Sequence, residues 1–97
     1  MSKENFISLH KLCELYKVEM SFFSSLNEIG LIQITAIEEL QCIHKDKIID
    51  IEKMIRMHVD LNINIEGIDI AFNLLQKIDE LENELNSIKN RLRIYEN

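Results

Sequence analysis

Apolar residues recur along this chain mostly at helical spacing, with one short interval of a different kind. Leu9, Leu12, Cys13 and Tyr16 fall at i, i+3, i+4 and i+7, the stripe of a short amphipathic helix, and Ser8 is placed to cap its start. Val18 sits in the turn that follows. A second stripe, Phe22, Phe23, Leu26 and Ile29, predicts a helix from about Glu19 to Ile29, stopped by Gly30 where a left-handed residue is wanted. Two short helices joined by a tight turn make a helix-turn-helix. LIQI at 31–34 and LQCI at 40–43 are short β-prone runs around TAIEE, and they predict a two-stranded wing. Their connection holds no Gly, Asn or Pro, so the usual hairpin signal is missing.

From Lys45 the helical period returns. A third helix to about Leu61 is expected to bury Ile48, Ile51, Ile55 and Val59, and Asn62 to Asn64 break it, with Asn64 suited to cap the next helix. From Ile65 nothing interrupts the pattern. Ala71, Leu74, Ile78, Leu81, Leu85, Ile88, Leu92 and Tyr95 alternate spacings of three and four, the a/d seam of a coiled coil. The flanking e and g positions are Lys77, Glu82, Glu84, Lys89 and Arg91. About thirty helical residues would reach ~45 Å, further than a globule of this size can cover. Part of the seam therefore needs a partner, and a second copy is the simplest one, with Ile78, Leu81, Leu85, Ile88 and Leu92 as the dimerising residues. A parallel pair sets Lys77 against Glu82 and Glu84 against Lys89; an antiparallel pair sets Glu82 against Lys89 and Glu84 against Arg91. Both are weakly attractive, so the charges leave the direction open. The expected organisation is one small domain: a winged helix-turn-helix part at 1–64 and the long helix at 65–97.

Composition narrows the class. A chain of 97 residues with no Pro and two Gly is mostly α, and a core this small is marginal without an added interface. The N-terminus MSKENFISLHKL lacks a basic stretch followed by an apolar one, and no apolar run is long enough to span a membrane, so a soluble cytoplasmic protein is expected. Cys13 and Cys42 lie far apart with no C-x-x-C, and small buried side chains are their ordinary reading.

The net charge is −6, unevenly spread. Between Val18 and Ile43 there is no Lys or Arg, while Glu19, Glu28, Glu38 and Glu39 give −4. Residues 61–88 carry −5, and residues 89–97 carry +2. DNA affinity rests largely on Lys and Arg neutralising phosphates. The second helix offers Ser24, Ser25 and Asn27 beside two glutamates, so docking it on DNA would set carboxylates against phosphates. An acidic surface instead suits a basic protein.

Candidate chemistry is sparse. His44 lies two residues after Cys42, but a single C-x-H pair is a weak zinc signal, and His58 on the third helix reads as packing or a helix-end hydrogen bond. There is no Gly-rich phosphate loop and no nucleophile–base pair. No cofactor or metal is expected, and the chain reads as a non-enzyme.

The order of helix-turn-helix, wing, third helix and terminal coiled coil resembles the MerR-type winged-helix group. Leu9, Val18, Leu26 and Gly30-Leu31-Ile32 stand where that pattern wants them; the group's Arg on the second helix and its basic-aromatic wing are absent, and FFSSL stands in the first place. The closer resemblance is to the chaperone-modulator branch, the CbpM family. It is carried by LCELYKV at 12–18, NEIGLI at 27–32 and above all MIRMHVDLNINIEGIDIAFNLLQKIDELENEL at 54–85. Within the last stretch Arg56, His58, Asp60-Leu61, Ile63-Asn64 and Gly67-Ile68 match the motif at the junction of the third and fourth helices.

The resemblance implies a non-enzymatic modulator that binds the J-domain of a DnaJ-like (CbpA-type) co-chaperone and inhibits its stimulation of Hsp70. A J-domain's Hsp70-contacting helix is basic, which agrees with the charge reading. By charge and exposure the expected contact residues are Glu38 and Glu39 in the wing, Asp46 and Asp50 opening the third helix, and Glu66 and Asp69 opening the fourth. For any one of them a solvated carboxylate is the ordinary reading. His58, Asp60 and Asn64 are read as structural. The alternatives are a MerR-type dimeric DNA-binding transcription regulator and a coiled-coil adaptor.

Overall fold

The computed structural model describes residues 3–96. A 3-10 turn, Lys3–Asn5, leads into β1 (Phe6–Ser8), followed by α1 (Leu9–Tyr16), α2 (Met20–Glu28), β2 (Thr35–Ile37) and β3 (Leu40–His44). A second 3-10 turn, Lys45–Lys47, opens α3 (Ile48–Val59), and α4 (Ile65–Glu96) completes the chain. The architecture is the expected one: mostly helical, with a helix-turn-helix, a small wing and a long last helix.

The helix-turn-helix forms for local reasons. Ser8 is extended and its hydroxyl accepts the His10 N–H at 3.2 Å, capping α1. Lys17, at φ 56°, turns the chain out of α1 in the left-handed conformation, and the Val18 N–H closes on the Cys13 carbonyl at 3.2 Å. α2 ends with Gly30 at φ 82°, an open position where the absence of a Cβ is needed for the backbone angle alone. Leu9, Leu12, Phe22, Phe23 and Leu26 point inward and meet Ile43 from the sheet and Ile51 and Met54 from α3 in one core.

The wing departs from expectation. The sheet has three strands, in order β1-β3-β2, all antiparallel: Phe6 opposes His44, Ser8 opposes Cys42, Thr35 opposes Cys42 and Ile37 opposes Leu40. The strand expected at 31–34 lies at Thr35–Ile37 instead. Ile32 is buried in the helical core, and the Ile34 N–H is held by the Asn27 side chain at 3.1 Å. LIQI is thus a tether between α2 and the wing, unavailable to a strand ladder. β1, unforeseen, turns the two-stranded wing into a sheet that packs against α1.

The third helix begins later than expected, at Ile48, because Lys45–Lys47 form a 3-10 turn capped by His44, whose Nδ1 accepts the Asp46 N–H at 3.1 Å. Its buried stripe is Ile51, Met54, Ile55 and Met57; Ile48 is half-buried and Val59 is exposed. Val59 closes the last turn, beyond the reach of the core. Ile29, at the end of α2, is likewise more exposed than its stripe suggested.

The junction to α4 is tightly determined. Asp60 and Leu61 both donate their N–H to the Arg56 carbonyl, Ile63 donates to Met57, and Asn62 is left-handed at φ 54°. Asn64 Oδ1 then accepts the Gly67 N–H at 2.8 Å, the expected cap. A Cβ on Gly67 would stand 2.6 Å from Ile63 Cγ2 and 3.0 Å from Asn64 Oδ1, so glycine is required by this close approach. Ile68 and Phe72 are buried against the head, and from Asn73 onward every described residue of α4 is exposed. Its 32 residues reach about 48 Å at helical rise, and the molecule measures 58 × 34 × 22 Å.

Two substitutions test this junction. Asn64→Ala should lower stability by about 1 kcal/mol, seen as a lower thermal midpoint; an unmoved midpoint would remove the capping assignment. Gly67→Ala should also lower the midpoint, whereas helix propensity alone would raise it by ~1 kcal/mol.

Candidate functional site

The surface that a helix-turn-helix ordinarily offers to DNA is here acidic and partly consumed by the fold. α2 buries Phe22, Phe23 and Leu26, leaving Glu19, Ser21, Ser24, Asn27 and Glu28 outside. α2 itself carries no cation, and Lys17 in the preceding turn stands beside Glu19 and Ser21. Asn27, the side chain best suited to read a base edge, spends its Oδ1 on the Ile34 N–H. On the opposite side of α2, Phe22 stacks on His58 of α3, with ring centroids 4.5 Å apart and planes at 18°. His58 is therefore a packing residue, as its position on α3 suggested.

The hairpin between β2 and β3 is a two-residue turn of Glu38 and Glu39, with φ of 50° and 68°. Both central residues occupy the left-handed region that this turn demands, which Asn-Gly or Asp-Gly ordinarily fills. A side chain in that region costs on the order of 1 kcal/mol. Two glutamates are held there, at the exposed tip and beside the half-exposed Leu40.

A cleft of about 500 Å³ lies between β1, the loop after α2, the start of α3 and α4. Its floor is apolar, with Ile51 and Met54 from α3 and Phe72 from α4, and its rim carries His44, Lys47 and Asp50. Asp50 is half-buried in the first turn of α3, where a carboxylate also meets the positive end of the helix dipole. Asp46 is exposed on the same side; its Oδ2 lies 3.4 Å from His44 Nδ1.

The six carboxylates expected from the sequence thus fall in three places. Glu38 and Glu39 form the wing tip. Asp50 lines the cleft, as His44 does, and Asp46 Oδ2 lies 3.4 Å from His44 Nδ1. Glu66 and Asp69 open α4, where Asp69 Oδ1 accepts from Asn73 Nδ2 at 3.0 Å. Asp69 lies one turn before Phe72, on the α4 face that Phe72 and Gln76 present to the cleft. Sequence reasoning did not find Phe6, Lys47, Phe72 or Gln76 at the cleft. Phe72 had a readable signal: with Ile68 it makes an apolar row beside the a/d seam, which the seam does not need.

The remaining candidates carry little chemistry. Cys42 is buried, with Sγ 3.6 Å from the Leu40 carbonyl, and Cys13 is half-buried, its thiol pKa pushed up by burial, partly offset by a backbone hydrogen bond. A raised thiol is a poor nucleophile. Among the described residues no three His, Cys, Asp or Glu side chains gather as metal ligands, and no helix is long and apolar enough to cross a membrane. The seam residues Ile78, Leu81, Leu85, Ile88 and Leu92 are each between 48% and 56% exposed, and the described part of the head does not cover them.

With this geometry the sequence matches one family model, that of the MerR helix-turn-helix regulatory proteins, over residues 7–90. The chain belongs to that family. Comparison with the curated proteins and with the solved structures returns no match. The match runs from β1 through most of α4, so the long helix is part of the family pattern along with the head. Members are regulators, and the architecture found here is theirs; the acidic α2 face and wing tip are what this MerR-family chain brings to it.

The wing tip yields a direct test of its strain. Glu39→Gly relieves a left-handed side chain and should raise stability by about 0.5 kcal/mol in chemical denaturation. A lower midpoint would show that the Glu39 side chain supports the fold.

Proposed function

We propose that this MerR-family domain acts on a basic protein surface: that it is a non-enzymatic modulator which docks on the J-domain of a DnaJ-like, CbpA-type co-chaperone and prevents that domain from stimulating Hsp70. The observation that carries the reading is the outward face of α2 and the wing. Where a DNA reader needs cations, this chain presents Glu19, Glu28, Glu38 and Glu39, and the amide oxygen of Asn27 on α2 is occupied by the fold. The likeness of residues 54–85 to the CbpM family gives the partner its name. Much of that stretch has an architectural reason here, in the Asn64 cap, the Gly67 approach and the Arg56 carbonyl, so the choice of partner rests on the surface charge.

In this mechanism no bond is made or broken. Glu38 and Glu39 project from the wing, Asp46 and Asp50 flank the cleft, and Glu66 and Asp69 stand at the start of α4. Together they attract the basic helix with which a J-domain contacts Hsp70, and occupancy excludes Hsp70. Electrostatic attraction of this kind sets the rate and specificity of association more than the final affinity. A strained pair of glutamates at an exposed tip fits a contact residue better than a folding residue.

The regulator acts as a homodimer through α4. Leu74 to Tyr95 present a seam that the head does not reach, and its e and g charges complement a second copy of themselves in either direction.

Calorimetric titration with the J-domain should give micromolar or tighter binding that weakens as salt is raised across the physiological range, because exposed pairs are screened beyond about 8 Å. Duplex DNA should give no binding at the same salt. A flat J-domain titration with retained DNA binding would return the chain to the DNA-binding regulators of its family. Leu85→Lys sets a charge in the seam and should convert a dimer to monomers in sedimentation equilibrium. A wild-type chain that sediments as a monomer removes the seam assignment.

A further inference from the structure

We infer that the cleft between β1, the loop 30–35, α3 and the start of α4 is built to take an arginine side chain from a basic partner. The inference rests on the reading that the partner is basic and adds where its anchor goes. Five segments converge here, and a cleft of about 500 Å³ lies within the range of specific ligand sites.

Three features select the occupant. The first is the floor. Ile51, Met54 and Phe72 close the cleft from below and are themselves buried, while the half-buried Phe6 and Leu31 line its wall, so a methylene stem laid against those two removes apolar surface from water. The second is aromatic. Phe6 and His44 stand at the mouth as an edge-to-face pair, centroids 5.0 Å apart at 79°. These two half-buried rings offer surface on which a planar guanidinium can lie. The His44 ring is fixed, because its Nδ1 already accepts the Asp46 N–H. The third is the carboxylate of Asp50, which is half-buried and makes no hydrogen bond or ion pair among the described residues. Gln33 and Gln76 add amide carbonyls at the edge.

Each feature excludes a rival. A purely aliphatic side chain would fill the floor but would further desolvate Asp50 without pairing it, at a net cost. An anion would confront Asp50. A lysine can reach the carboxylate but cannot stack or bond in bidentate fashion, so it gains less than arginine. Lys47 also stands on the rim and opposes any cation. It is exposed, which lets it swing toward solvent, and its opposition provides a control of predictable sign.

The experiment uses the full chain and two synthetic amphipathic helical peptides of one sequence, with either arginine or lysine at every basic position. Wild type should bind the arginine peptide about tenfold more tightly than the lysine peptide. Asp50→Asn should abolish that preference, and Lys47→Gln should tighten both peptides. Ring resonances of Phe6, His44 and Phe72 should shift on binding, and thermal melts should show both variants folded. Equal affinity for the two peptides, or a preference that survives Asp50→Asn, overturns the inference. Weaker binding by Lys47→Gln does so too, since Lys47 would then be a contact of the peptide and not an opposing charge. The same variants are then titrated with the J-domain. Wild type and Asp50→Asn binding it equally removes the arginine anchor and leaves the modulator reading intact. A retained arginine preference with no J-domain binding does the reverse.

Discussion

Everything outside the head depends on how the first two turns of α4 dock against it. Ile68 and Phe72 are the buried residues of that helix, and they fix its direction. The docking is prepared by the chain just before it: Asn62 turns left-handed, Asn64 caps the helix, and Gly67 permits an approach that any side chain would block. Two surfaces follow from this one contact. The face that carries Phe72 and Gln76 becomes a wall of the cleft. The rest of the helix leaves the head with its apolar seam uncovered, which is why a chain of 97 residues spans 58 Å in its longest dimension.

The same scaffold can serve DNA or protein, and the side chains decide. This MerR-family fold supplies a helix, a wing and a long terminal helix; it does not supply a partner. Here the helix face carries carboxylates and hydroxyls, and the wing tip spends backbone strain on two glutamates. Both choices oppose a polyanion. Both suit a partner whose own surface is basic, and the arginine anchor proposed beside Asp50 would hold such a partner as well as attract it. Charge at the rim and an apolar floor have different tasks: the first speeds encounter, the second slows departure.

Much of this was legible in the sequence, and the failures have local causes. The α1 stripe, the α2 stripe as far as Leu26, the Ser8 and Asn64 caps and the Gly30 stop all rest on spacing and on single-residue chemistry, which tertiary contacts did not override. The wing was misread by its most β-like residues. LIQI has strand composition, but Ile32 was claimed by the core and the Ile34 N–H by Asn27. TAI formed the strand because the turn could be closed by two glutamates in left-handed geometry, which no propensity anticipates. β1 was hidden for a related reason: three residues give no period, and their strand exists only because β3 offers an edge. The six acidic positions were visible as charges. The meeting of Phe6, His44, Asp50 and Phe72 in one cleft depends on contacts between segments far apart in the chain.

The most direct test of the account is the ATP hydrolysis rate of Hsp70 stimulated by its J-domain co-chaperone, measured as this chain is added. The account predicts a fall to the unstimulated Hsp70 rate, with the curve displaced to higher concentration by added salt. An unchanged stimulated rate, at concentrations where the chain is folded and dimeric, would contradict it.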